Sequence, residues 1–184
     1  MSGVEHQVAK AGYAFIVVGV GHVAREPYAS TVSTTRVTRH VRAPTALVYR
    51  ALLDVDAVRH WMVPDGMTSR IHSFDAREGG TFRISLTYDA PTSAGKTDAQ
   101  TDSFHGRFVR LVPDAIVVQV VEFETDDPAM AGEMAITYTL ADADGATDLV
   151  GIHENLPPGV SPVDNELGWR MALDKLARLV EADR

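Results

Sequence analysis

Apolar and polar positions follow two rhythms along this chain. Thr35 to Val41 alternates at short range, which predicts a first strand. Ala43-Pro44 then opens a helix, because proline suits the first helical position, and Leu47, Val48, Ala51 and Leu52 give that helix a buried side. Asp54 is placed to cap a second short helix through Val58 to Trp61. After the turn Pro64-Asp65-Gly66 the rhythm shortens to two and stays there. Strands are predicted over Thr68–Ala76, Thr81–Tyr88, Phe104–Val112, Ile116–Phe123, around Met134 to Leu140, and over Thr147–Glu154. Phe82, Ile84, Leu86 and Tyr88 share one face, as do Met134, Ile136, Tyr138 and Leu140. Glu78-Gly79-Gly80, Pro113-Asp114, Asp126-Asp127-Pro128 and Asp142-Ala143-Asp144-Gly145 mark hairpin-sized turns, while residues 90–101 read as a polar loop.

The last segment, Pro162 to Val180, returns to helical spacing. Trp169, Ala172, Leu173, Leu176 and Val180 form one narrow apolar stripe, with Asp174, Lys175 and Arg178 away from it. Consecutive strands with short turns make an antiparallel sheet, and segregated helices make the class α+β. The expected architecture is a curved antiparallel sheet of six or seven strands wrapped on the long C-terminal helix, with two short helices after the first strand. Residues 1–32 read as an extension outside this fold and 33–184 as a single domain.

Composition narrows the function classes. A formal net charge of -8 and no run of basic residues argue against a nucleic-acid surface. With no cysteine, disulfides, thiolate metal sites and a cysteine nucleophile are excluded. The apolar run Tyr13–Ala24 is shorter than the roughly 20 residues a membrane-spanning helix needs. It also lacks the flanks of a signal peptide, so a cytoplasmic protein with no membrane association is expected. Gly19-Val20-Gly21-His22-Val23-Ala24 matches a dinucleotide-binding pattern. Pro27 interrupts the helix that pattern requires, so the match is read as chance and no cofactor is expected.

Four segments carry a family resemblance. They are Ala43 to Leu52, His60-Trp61-Met62-Val63-Pro64-Asp65-Gly66, Asp75-Ala76-Arg77-Glu78-Gly79-Gly80, and Gly168-Trp169 to Leu176. His105-Gly106-Arg107 and Thr147–Glu154 add to them. Together, over about residues 34–182, the chain resembles the SRPBCC superfamily, the START-like or Bet v 1-like helix-grip fold. Within it the chain looks most like bacterial members of the family named for the activator of heat-shock protein 90 ATPase. Met62 stands where that family has a second aromatic. The resemblance implies a cavity between sheet and closing helix. It leaves open small-molecule binding, cyclase or hydrolase chemistry, and co-chaperone action, because fold alone does not choose among them.

Candidate site residues follow from chemistry. Trp61 and Trp169 offer flat apolar walls with a polar edge, or plain core packing. Phe82, Ile84, Tyr138 and Leu173 are the other expected lining positions. His72, His105 and His153 sit on separate strands and suit proton transfer, or hydrogen-bonded strand positions. Their spacing matches no zinc motif, so no metal is expected. Glu122 in an apolar strand would act as an acid or base if it faced a dry cavity, and strand parity alone does not decide its side. Glu166, one turn before Trp169, either borders the cavity mouth or simply favours a helix N-terminus. The leading expectation is a binder of a small apolar or amphipathic molecule, with a homodimer or a chaperone partner as further possibilities.

Overall fold

The computed structural model describes residues 33–63, 65–89 and 100–182. The N-terminal extension with its glycine pattern, Pro64, and nearly all of the polar loop at 90–101 lie outside the described residues. The elements run β1 (Ser33–Val41), α1 (Thr45–Leu53), α2 (Val55–Trp61), β2 (Met67–Phe74), β3 (Thr81–Tyr88), β4 (Thr101–Val112), β5 (Ile116–Phe123), β6 (Met134–Ala143), β7 (Ala146–Leu156) and α3 (Pro162–Ala182). This is the α+β helix-grip architecture: a seven-stranded antiparallel sheet in the order β1-β7-β6-β5-β4-β3-β2, with α3 packed on it. β1 and β2 sit at opposite edges, so α1 and α2 carry the chain from one edge to the other.

Local chemistry explains the turns that position the sheet. Asp54 accepts from the Ala57 amide at 2.8 Å and starts α2. β2 ends at Phe74, two residues short of the sequence expectation, because Asp75 enters the hairpin turn and its amide bonds to the Thr81 carbonyl. Gly79 has φ 76°, and a Cβ on Gly80 would stand 2.1 Å from the Asp75 carbonyl oxygen, so the glycine pair is a backbone requirement. β4 starts at Thr101 rather than Phe104, since Thr101, Asp102 and Ser103 pair with Thr87, Leu86 and Ser85. β-Bulges in β2 between Ile71 and Ser73 and in β4 between Phe108 and Arg110 add bend.

The core fills the space between sheet and helices. From α3 it takes Ala172, Leu173, Leu176, Ala177 and Val180, and from the sheet Phe82, Ile84, Phe108, Val117, Tyr138 and Leu149. Each large side chain removed from water here contributes about 1.5–3 kcal/mol. Among the described residues, no helix is long and apolar enough to cross a membrane.

Candidate ligand cavity

The packing leaves an apolar void, partly open to solvent, beside α3. Measured as the space open to the centre of a water molecule it is about 70 Å³. One water needs only about 10–15 Å³ on that measure, so there is room for a larger guest. Trp61, Met62, Leu86, Phe104, Phe123, Met134, Ile136, Gly168 and Ala172 form much of its wall.

Strand alternation decides which expected residues reach it. Phe82 on β3, His153 on β7, Trp61 on α2 and Trp169 on α3 all line the void. Ile84, Tyr138 and Leu173 are buried in the adjoining core but are not part of the lining. Tyr138 braces the wall: its ring meets Trp61 edge-on at 6.4 Å and Trp169 at 5.4 Å. The Trp61 indole also donates to the Ala51 carbonyl at 3.0 Å, tying α2 to α1.

Four expected positions face away. On β5 the odd residues Val117, Gln119, Val121 and Phe123 are buried, because Phe104 on β4 pairs with Phe123 and both rings must leave water. Glu122 is thereby turned to the opposite face beside His105, where it accepts from the Gly132 amide at 3.3 Å. His105 lies 3.6 Å from Glu124, whose carboxylate is gripped by Arg83 at 2.8 and 2.7 Å. That guanidinium holds the Glu124 carboxyl below its ordinary range. His72, in the β2 bulge, contacts the Ser85 hydroxyl at 2.9 Å on the same outer face. Glu166 is half-buried and pairs with Arg170 one turn on, outside the lining of the void.

His153 is different. It is 4% exposed, and its Nδ1 lies 2.9 Å from the Trp169 indole nitrogen and 3.1 Å from the Asn165 amide nitrogen. An indole N–H can only donate, so Nδ1 must accept and the proton of the neutral ring sits on Nε2. Nε2 has no hydrogen-bond partner among the described residues. Burial pushes this imidazole down to about 4, against a smaller opposing effect of Asn165, so the ring is neutral near pH 7. Asn165 in turn donates to the Thr35 hydroxyl at 2.7 Å, which locks the start of α3 to β1 and β7.

The sequence reading did not single out Gln119. It is 4% exposed, lies on the inner face of β5, and lines the void. Its signal was present: one amide set among Val117, Val118, Val120 and Val121.

A sheet gripping a long terminal helix, with a void between them, defines the SRPBCC class. The chain belongs to the activator of Hsp90 ATPase homolog 1-like protein family, whose model matches residues 42–181. Solved structures agree. A protein from Chromobacterium violaceum is 34% identical with TM-score 0.72, the match covering 80% of this chain and 96% of that one. One from Rhodobacter sphaeroides is 18% identical with TM-score 0.66, covering 84% and 99%. One from Mesorhizobium loti is 18% identical with TM-score 0.63, covering 83% and 99%. The last two show likeness of fold alone. No curated protein matches the chain in sequence.

Proposed function

We propose that this protein binds a small, mainly apolar molecule in the void between the sheet and α3. The observation that carries this reading is the void itself, a space walled mostly by aromatic and aliphatic side chains between the sheet and α3. Protein interiors are close-packed, and an apolar void forfeits dispersion contacts that a guest would restore. The lining favours binding over acid–base catalysis. Among the described residues it includes no carboxylate, and the lone pair of its imidazole is committed to Trp169 and Asn165.

The test is thermal unfolding of the full chain with and without naphthalene. A ligand that binds only the folded state stabilises it by about 2.7 kcal/mol at a hundredfold excess over Kd. Wild type is expected to melt higher with naphthalene. Ala172→Leu, which places a larger side chain into the void from α3, is expected to fold and to lose the effect. An unchanged wild-type melting temperature, or equal stabilisation of both proteins, contradicts the reading.

A further inference from the structure

Among the described residues, the buried polar and charged side chains are Thr35, Ser85, Asp102, Gln119, Thr147, His153 and Asn165. All but Gln119 make at least one side-chain hydrogen bond to a described residue, although His153 does so through Nδ1 alone. Thr35, Asn165 and His153 form one chain of contacts, Thr147 donates to the Ala43 carbonyl, Ser85 contacts Ser103, and Asp102 accepts from Tyr88. Gln119 makes no side-chain hydrogen bond to another described residue. A buried amide left without a partner lowers stability, and a leucine of similar size would fill the same place without that cost. The fold gains nothing evident from a glutamine here.

Its position supplies the missing reason. β5 is the central strand of the sheet, and Gln119 stands between Phe108 on β4 and Ile136 on β6. Ile136, Val121 and Gln119 all line the void, so the amide sits in its floor. Of the other polar lining groups, Asn165 and the Nδ1 side of His153 are engaged with each other, Trp169 and Thr35, while the His153 Nε2–H has no partner among the described residues. No charged side chain lines the void among the described residues. An ionised guest would therefore surrender its hydration without meeting a countercharge.

We propose that Gln119 is the specificity residue of this cavity, selecting an uncharged, mainly apolar ligand with one group that both donates and accepts a hydrogen bond. A hydroxyl is the smallest such group: it takes an N–H from the amide and gives its own proton to the amide carbonyl. This rests on the reading that the void binds an apolar molecule. Selectivity arises because the amide faces the void with no hydrogen bond from another described side chain. A ligand that matches it relieves a standing cost, and one that cannot match it leaves the amide unpaired.

The experiment compares three probes of one shape on the full chain: naphthalene, 2-naphthol and 2-naphthoate, titrated by calorimetry into wild type and Gln119→Leu. The ratio of naphthol to naphthalene affinity is expected to be about tenfold higher in wild type than in the variant, the size of one good buried hydrogen bond. Naphthoate is expected to bind wild type at least about tenfold more weakly than naphthol. The ratio is taken within each protein, so a change in naphthalene affinity itself does not enter it; Gln119→Met carries the same comparison if the leucine variant does not fold. An unchanged naphthol-to-naphthalene ratio, or naphthoate as tight as naphthol, overturns the role of Gln119 alone. Failure of all three probes to bind wild type overturns the cavity reading and this proposal with it.

Discussion

At the residue scale, two side chains depart from what packing requires. Gln119 turns an amide to the void without a side-chain hydrogen bond to another described residue, and His153 is an imidazole held neutral by burial, with its Nδ1 accepting from the Trp169 indole. The histidine has a pH consequence with a definite sign. Its pKa drops from 6.5 to about 4 on folding. Above pH 6.5 both folded and unfolded rings are neutral and the stability is fully present. As pH falls from 6.5 to 4 the unfolded chain takes up a proton that the folded chain refuses, and stability drains away. The loss reaches about 3 kcal/mol below that window. Urea unfolding at pH 7.5 and pH 4.5 checks it. Wild type should lose more stability between the two than His153→Gln, which keeps an acceptor for Trp169 but has no proton to gain. Equal losses would show that His153 does not titrate as its burial demands. His153 was legible in the sequence as a polar candidate because histidine is rare in apolar strand runs. Its partner Asn165 was not, because an amide near a helix start reads as ordinary N-terminal chemistry.

At the element scale, β5 shows where a one-dimensional reading stops. Both of its faces are largely β-branched, so periodicity alone did not say whether Glu122 or Gln119 pointed inward. The register with β4 settles it through the Phe104–Phe123 pair, a long-range fact no local pattern contains. The same limit applies to His72 and His105, whose outward direction follows from a bulge and from pairing with Arg83 and Glu122. Another long-range link joins α3 to the turn after α2. Lys175 donates to the Val63 carbonyl at 2.8 Å and pairs with Asp65 at 2.5 Å. Met62, next to this turn, is part of the cavity wall, so the lysine steadies one side of the void. Lys175→Met keeps the aliphatic stem and removes the donor. It is expected to cost about 1 kcal/mol, because the bonded ammonium is only partly exposed. Amide hydrogen exchange at Asp65 and Gly66 should quicken in the variant. Unchanged exchange there would show that the turn holds itself.

At the scale of the whole molecule, the order strand, two helices, six strands, long helix was readable from the chain. Each element is consistent with its own propensity, its turns and the common core. The stripe of Trp169, Ala172, Leu173, Leu176 and Val180 indicated that α3 must cover something, and the sheet is what it covers. The family resemblance implied a cavity between sheet and closing helix, but its volume and its exact lining were not readable. The void is a shortfall of volume between two correctly patterned faces, and volume depends on register, crossing geometry and rotamers together. The account therefore turns on whether a small molecule occupies that space. The most direct measurement is a set of intermolecular nuclear Overhauser contacts from 2-naphthol ring protons to assigned methyl groups of the full chain. Contacts to the methyls of Leu86, Val121, Met134 and Ile136, weakened in Ala172→Leu, are the predicted result. Saturable binding with contacts only to exposed methyls such as those of Val109, Val163 or Leu167, or no binding, would contradict it.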